Sequence, residues 1–217
     1  MQREPPAKVV TEPRERGHLF VISAPSGAGK TSLISALAKS DCSLTVSVSH
    51  TTRPRRDGEQ DGVHYHFVDI ETFAAMRARG EFLECADVFG HAYGTSRNAV
   101  LDAFEAGRDV ILEIDWQGAA QVRARWPTAV AIFLLPPSRD ALVARLRGRG
   151  QDGPDVIAAR TAQAVADMSH HGEFDHVVVN DDFDTALADL RDIVEATRAG
   201  LRPTRSDHAA LIAELLS

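Results

Sequence analysis

The turn after the first apolar segment constrains this chain more than any other feature. Residues 18–23 are a short apolar run with β-branched side chains, which predicts a strand, and a helical pattern begins a few residues later. The turn between them reads Ala24-Pro25-Ser26-Gly27-Ala28-Gly29-Lys30-Thr31. It matches the phosphate-loop pattern G-x-x-x-x-G-K-[ST], except that Ala24 stands at the first glycine. Backbone N–H groups converge in such a turn at the positive end of a helix, so the sequence predicts a phosphate site.

Two residues of this phosphate loop are expected to carry chemistry. Lys30 stands where a lysine reaches the β and γ phosphates of a nucleotide, and Thr31 stands where a hydroxyl holds Mg²⁺. Only three of the 24 basic residues of the chain are lysines. A lysine at the motif position is therefore stronger support for the motif than it would be in a lysine-rich chain.

Strands and helices alternate along the chain, which predicts an α/β fold on a parallel sheet. The apolar runs at 109–114 and 129–134 have the composition of strands buried on both faces. Residues 49–97 instead show short alternating patterns, which predict an antiparallel insertion. The predicted strands are 18–23, 44–49, 63–68, 82–88, 109–114, 129–134 and 176–180. The predicted helices are one ending at 39, then 71–79, 96–106, 138–147, 154–170 and 184–198.

Composition excludes several classes of protein. A net charge of −7 disfavours general binding to nucleic acid or to anionic membranes. The longest apolar run, residues 129–137, is too short to cross a bilayer, and residues 1–16 are polar and proline-rich, which predicts a disordered tail without a signal core. Cys42 and Cys85 are isolated, so we expect a cytoplasmic protein. Near the C-terminus Leu211, Ile212 and Leu215 form an apolar stripe, which would dock on the chain's own core or make a homo-oligomer.

A phosphate loop alone does not name a reaction. Asp115-Trp116-Gln117-Gly118 matches the D-x-x-G element of GTPases, but no lysine follows Lys39, so the Asn-Lys-x-Asp element that reads guanine in GTPases is absent. A second cluster at residues 49–59 places three arginines beside hydroxyls, a composition that suits a phosphate monoester or else a solvated charged surface.

Six segments together resemble guanylate kinase, the ATP:GMP phosphotransferase. In order they read SAPSGAGKTSL, SVSHTTRPRRDGEQDGVHYHFV, EFLECADVFGHAYGTS, VILEIDWQG, RLRGRG and VVVNDD. The resemblance spans about residues 17–198, and the last residues look like the extension of bacterial members. It implies a phosphate-loop nucleoside monophosphate kinase with Mg²⁺ as cofactor and ATP and GMP as partners. It also implies a division into core (17–48, 98–137, 173–200), GMP-binding insertion (49–97), lid (138–172) and C-terminal helical extension (201–217).

The resemblance also implies residue roles. The GMP phosphate would be held by Arg53, Arg56, Tyr65 and Tyr93. Guanine would be read by Glu84, with Ser49 and Thr95 near O6 and Asp115 close by. ATP would be bound by the phosphate loop and by Arg145, Arg149 and Asn180, with Asn180 near adenine. The charge of the transferring phosphoryl group would be met by Lys30, Arg53, Arg149 and Arg160. Arg160 would also bind GMP, and Arg149 and Arg160 match the lid arginines that close over ATP.

Elementary chemistry agrees with the role of Glu84. Guanine presents its N1–H and N2–H₂ donors side by side, and a carboxylate accepts hydrogen bonds only. Two other hypotheses remain at this point. A kinase acting on a phosphorylated sugar would need no carboxylate to read a base, and a kinase-like module that binds phosphopeptides would be expected to lose residues such as Lys30 or Arg160.

Overall fold

A computed structural model of the chain describes residues 17–88, 90–148, 153–203 and 207–217. The predicted tail at residues 1–16 lies outside the described residues. In chain order the strands are Leu19–Ser23 (β1), Leu44–Val46 (β2), His50–Thr51 (β3), His66–Phe67 (β4), Phe82–Val88 (β5), His91–Ser96 (β6), Asp109–Glu113 (β7), Val130–Leu135 (β8) and His176–Val179 (β9). The helices are Lys30–Ser40 (α1), Ile70–Ala78 (α2), Arg97–Glu105 (α3), Trp116–Arg125 (α4), Arg139–Gly148 (α5), Pro154–Met168 (α6), Phe183–Arg198 (α7) and Ala209–Leu216 (α8).

The core of the fold is a five-stranded parallel sheet in the order β2-β7-β1-β8-β9, with helices on both faces. Alternate residues of β1 serve opposite faces: Phe20 and Ile22 pack toward α1 and α7, whereas Leu19 and Val21 pack toward the other face. All four side chains are buried. The predicted α/β fold with strands buried on both faces is confirmed.

A second sheet is formed by the insertion, in the order β4-β3-β6-β5. The prediction of an antiparallel insertion is wrong for one pair, because β3 and β4 run parallel whereas β3–β6 and β5–β6 are antiparallel. The predicted strand at 63–68 is also too long. Turn hydrogen bonds occupy its first half, where the Gly62 N–H donates to the Tyr65 carbonyl and the Val63 N–H to the Gln60 carbonyl. Only His66–Phe67 is left to pair with β3.

The carboxyl ends of the core strands determine where a ligand site can form. Because all five strands of the core sheet are parallel, their carboxyl ends meet at one edge, where ligands bind in open α/β sheets. The phosphate loop follows β1 at this edge, and α4 follows β7 after Asp115, whose Oδ1 accepts from the Gly118 N–H at 2.7 Å and so begins the helix.

The C-terminal helix α8 docks on the chain's own core, the first of the two alternatives left open by its apolar stripe. Leu215 is buried, and Leu211 and Ile212 pack against the same apolar cluster. The Arg139 Nε also donates to the Leu215 carbonyl at 2.8 Å. Separately, within the described residues no helix combines the length and apolar character needed to traverse a bilayer.

Candidate active site

The phosphate loop and the insertion face each other across a cleft of about 300 Å³. Most residues that the sequence predicted for a site line this cleft, from both sides. From the loop side come Ala24, Pro25, Ser26, Gly27, Gly29, Lys30 and Thr31; from the insertion Ser49, Arg56, Tyr65, Glu84 and Tyr93; and from elsewhere Asp115 and Arg160. The structure therefore brings together in one place residues that lie more than 130 positions apart in the chain.

Two glycines give the phosphate loop its shape. Gly27 and Gly29 have φ values of +93° and +89°, a left-handed backbone conformation that residues other than glycine rarely adopt. Space is also limited at Gly29, because a Cβ there would lie 2.4 Å from Asn180 Nδ2. The loop is thus a backbone surface that a nucleotide phosphate can approach closely.

Lys30 and Thr31 are held by the neighbouring strand β7. The Lys30 Nζ donates to the Ile114 carbonyl at 3.0 Å, and the Thr31 hydroxyl donates to Glu113 Oε1 at 2.6 Å. Lys30 is partly buried and lines the cleft, so this hydrogen bond holds its ammonium group beside the loop.

Asn180 and Arg145 lie behind the loop rather than among the residues lining the cleft. The Asn180 Nδ2 donates to the Ala28 carbonyl at 2.7 Å, and Asn180 is buried. The guanidinium of Arg145 donates to the Asn180 carbonyl at 2.9 Å and to the Ala28 carbonyl at 3.4 Å. These contacts show both residues supporting the loop; no contact of theirs reports on adenine.

The arginines of the insertion differ in their surroundings. Arg53 is almost fully buried, its Nη2 lies 2.6 Å from Glu59 Oε1, and its guanidinium lies 5.4 Å from the centre of the Tyr65 ring. It lines a neighbouring cavity of about 620 Å³ together with Arg56, Tyr65 and Tyr93, and is not among the residues lining the 300 Å³ cleft. Arg56 is exposed and lines both.

Two tyrosines stand between these cavities. The rings of Tyr65 and Tyr93 meet edge to face with centroids 5.8 Å apart. Burial, with a contribution from the charge of Glu113, raises the pKa of Tyr65 to about 12. Its hydroxyl is therefore protonated at neutral pH and can donate a hydrogen bond to an anion.

Glu84 is a buried carboxylate facing the cleft. It is 2% exposed, and its Oε1 accepts a hydrogen bond from the Thr95 hydroxyl at 2.6 Å. Burial, with a smaller contribution from the charge of Asp115, raises the pKa of Glu84 to about 7. Burial makes the ionised form of this carboxylate unfavourable unless it has hydrogen-bond partners. It is therefore suited to accept hydrogen bonds from a ligand with neighbouring donors.

Comparison with known proteins identifies the family to which this site belongs. The family model described as guanylate kinase matches residues 16–197. The chain belongs to the guanylate kinase family. It is 56% identical over 200 residues to the guanylate kinase of Alkalilimnicola ehrlichii (92% of this chain, 98% of the relative) and 54% identical over 204 residues to that of Escherichia coli K12 (93% and 99%). The crystal structure of the guanylate kinase of Anaplasma phagocytophilum has a TM-score of 0.68 at 34% identity, covering 83% of this chain and 86% of that one.

Guanylate kinases are nucleoside monophosphate kinases, and this member transfers a phosphoryl group from ATP to GMP. Identity of 54–56% to guanylate kinases over nearly their whole length favours this activity over the GTPase, sugar-phosphate kinase and phosphopeptide-binding hypotheses. One of the predicted site residues, Arg149, lies outside the described residues.

Three acidic residues of this guanylate kinase site were missed from the sequence. Glu113 and Asp167 line the cleft, and Glu59 pairs with Arg53. Glu113 carried a usable signal, because it ends an apolar strand next to the strand that precedes the phosphate loop. Asp167 lies on α6, far from any motif, and no local pattern marks it.

Proposed function

We propose that ATP places its phosphates on the phosphate loop, that GMP lies against the insertion, and that the two nucleotides meet across the cleft. The observation that carries this proposal is that Lys30 and Glu84 line the same cleft from opposite sides. One is a cation beside an anion-binding loop, and the other is a buried acceptor beside a hydroxyl. This pairing supports one site for a triphosphate and a second for a purine that presents donors.

Glu84 reads guanine in this proposal. Its carboxylate accepts from the N1–H and N2–H₂ groups, whereas adenine would present an acceptor lone pair to the same oxygens. Sites built to hydrogen-bond a substrate group can reject an analogue that lacks it by about 10⁴-fold. Ser49 and Thr95 lie near O6, and Asp115 adjoins the base.

The GMP phosphate is bound by Arg53, Arg56, Tyr65 and Tyr93. Arg53 is held in place by Glu59, and the Tyr65 hydroxyl is protonated and can donate a hydrogen bond. A phosphate monoester has its second pKa near about 6, so GMP is mostly a dianion at pH 7 and attacks without a strong general base. The protein's task is to align two polyanions and to offset the charge that builds up during transfer. Lys30, Arg53, Arg149 and Arg160 supply that positive charge.

The site also suits Mg²⁺. The Thr31 hydroxyl and the Glu113 carboxylate are hard oxygen donors 2.6 Å apart at the end of β7, beside the loop. Among the described residues no group of three or more His, Cys, Asp and Glu side chains is arranged to hold a metal by itself. Mg²⁺ commonly takes one or two protein ligands and completes its shell with substrate phosphates and water, and Thr31 and Glu113 would be those ligands. When bound with ATP, Mg²⁺ neutralises charge on the phosphates.

The two proposed sites also assign a role to each segment of the chain. Residues 17–48, 98–137 and 173–200 act as the core, 49–97 as the GMP-binding insertion, 138–172 as a lid over ATP and 201–217 as an extension. Arg145 and Asn180 belong to the ATP side, where both contact the Ala28 carbonyl of the loop. The partners are ATP and GMP rather than nucleic acid or membranes, in keeping with the net charge of −7. Two free cysteines fit the cytoplasm, which is reducing.

Substitution of Lys30 tests the assignment. Lys30→Met should lower kcat for ADP formation from ATP and GMP by about 10²–10³, because one charged donor is lost at the transferring group. The matched control is Arg108→Met, which removes an exposed cation that lines neither cavity and should leave kcat unchanged. A Lys30→Met enzyme with normal kcat, or a wild-type enzyme that turns over without a divalent metal, would contradict the proposal.

A further inference from the structure

Helix α4 covers the outer edge of strand β5. That strand is the last of the second sheet, so one row of its N–H and C=O groups has no neighbouring strand among the described residues. The Gln121 side chain bonds both backbone groups of one residue there: its Nε2 donates to the Cys85 carbonyl at 2.8 Å, and its Oε1 accepts from the Cys85 N–H at 3.2 Å. A side-chain amide thus takes the place that a paired strand would occupy.

A second side chain of α4 continues this contact. The Arg125 Nη1 donates to the Leu83 carbonyl and, at 3.3 Å, to the Phe82 carbonyl. Leu83 and Cys85 are the residues on either side of Glu84. Hydrogen bonds from one helix therefore hold the backbone immediately before and immediately after the carboxylate that faces the cleft.

The same helix also contacts that carboxylate directly. A Cβ at Gly118 would lie 2.6 Å from Glu84 Oε2, so the glycine leaves room for the carboxylate against the helix backbone. Helix α4 begins right after β7, the strand whose end bonds Lys30 and Thr31. The contact between α4 and β5 thus connects the base-reading strand of the insertion to the part of the core that holds the phosphate loop.

We propose that Gln121 is a positioning residue for guanine recognition: by bonding both backbone groups of Cys85, it sets the distance between the Glu84 carboxylate and the phosphate loop. This inference rests on the proposed reading of guanine by Glu84. Loss of the two bonds leaves the edge of β5 open to water and frees Glu84 to shift. A misplacement of about 1 Å can cost as much as 10²-fold in rate when reacting groups must be aligned.

Discrimination between GMP and IMP tests the proposal, because IMP lacks the 2-amino donor. Gln121→Met keeps the length and helix propensity of the side chain but removes both hydrogen bonds. The ratio of kcat/KM for GMP to that for IMP should fall about 10-fold, the effect of about one hydrogen bond, with KM for ATP unchanged. The matched control is Gln117→Met, at an exposed position of the same helix, which should keep the wild-type ratio. A loss of folded enzyme alone would lower both rates equally and leave the ratio as it was.

A double-mutant cycle identifies the route of the effect. In a Glu84→Gln background, Gln121→Met should cause no further fall in the GMP/IMP ratio. The inference is overturned if Gln121→Met keeps the wild-type ratio, or if it lowers the ratio equally with and without Glu84. If Glu84→Gln itself leaves the ratio unchanged, the reading of guanine by Glu84 has failed, and the inference with it; the single Glu84→Gln variant thus separates the two failures.

Arg125→Met provides a second variant should Gln121→Met not fold. It removes the bonds on the other side of Glu84 and also a charge that favours the ionised form of Glu84. The ratio is therefore measured at pH 8.5, above the Glu84 pKa of about 7, where it should fall in the same direction. Its control is Arg123→Met on the same helix, since the Arg123 guanidinium donates to Asp175 rather than to a carbonyl of β5. An Arg125→Met enzyme with the wild-type ratio would contradict the proposal.

Discussion

Replacing Glu84 by glutamine should raise the stability of the protein while it damages GMP recognition. The carboxyl group is 2% exposed, and burial raises its pKa from an ordinary 4.5 to about 7. Glutamine keeps the acceptor for the Thr95 hydroxyl but cannot ionise. The substitution therefore removes the cost of burying a charge and leaves the neighbouring hydrogen bond in place.

The size of the gain follows from the two pKa values. A difference of about 2.5 units at 1.36 kcal/mol each amounts to about 3 kcal/mol. The folded state has the higher pKa, so between pH 4.5 and pH 7 it binds more protons than the unfolded state does. Glu84 thus costs nothing well below pH 4.5, and wild-type stability falls as the pH rises from 4.5 to about 7 and is constant above that. Glu84→Gln should consequently exceed the wild type in free energy of unfolding by up to about 3 kcal/mol at pH 8.5, and by little at pH 5.

The same titration should appear in the kinetics. In the proposed site guanine binds the ionised carboxylate, so kcat/KM for GMP should fall as the pH drops below about 7. The phosphate of GMP itself titrates near about 6 and adds a second decline below that pH. In Glu84→Gln the decline at pH 7 should vanish and the one near pH 6 should remain, at a much lower overall kcat/KM.

Urea denaturation without nucleotide at pH 5 and pH 8.5 measures the stability, and initial rates of ADP formation measure the kinetics. The control is Glu81→Gln, three residues away: the Glu81 carboxylate pairs with Arg79, and this contact lowers its pKa, so Glu81→Gln should gain no stability at high pH. A Glu84→Gln protein no more stable than the wild type at pH 8.5 would refute the reasoning that Glu84 is held ionised at a cost.

Two further predictions concern the loop and the far end of the sheet. Gly29→Ala places a Cβ 2.4 Å from Asn180 Nδ2, on a residue in the left-handed conformation, so it should lower the Tm and raise KM for ATP severalfold. The control is Gly107→Ala, where φ is +72° but the space is open. It should lower the free energy of unfolding by only about 1 kcal/mol and leave KM for ATP unchanged. Arg198→Met breaks the 2.6 Å ion pairs with Asp41 and Asp109. Because these pairs are partly exposed to solvent, the free energy of unfolding in urea at pH 7 should fall by only about 1–2 kcal/mol. Arg191→Met on the same helix should change it little. The Ser43 hydroxyl and Arg198 lower the pKa of Asp41 from 3.8 to about 2, so the difference between wild type and Arg198→Met should shrink as the pH falls below 4, and a constant difference would contradict the assignment.

The local sequence pattern predicted the bounds of strands and helices correctly wherever the element is built on an apolar run. Strands β1, β7 and β8 and helix α7 appear within one or two residues of their predicted bounds, because each carries large side chains that must be buried. Helix α4 was missed, since its buried residues are Gly118, Ala119 and Val122, too small and too few to form an apolar stripe. Strand β6, His91–Ser96, was missed because it is polar and small in composition and is held by its two neighbouring strands.

The residues proposed to bind phosphate stand out in the sequence, because a phosphate loop and a cluster of arginines are contiguous and their chemistry shows in the residue types. The short stretch from Ala24 to Thr31 determines the loop by itself, since the glycines permit its backbone and a strand and helix flank it. Only the tertiary structure decided what surrounds the proposed site of the second substrate. It places Glu113 beside Thr31, 82 residues away in the chain. It also brings Gln121 of α4 into hydrogen-bond contact with β5, the strand that carries Glu84. Such contacts are made by long-range packing, which leaves no periodic trace in the sequence.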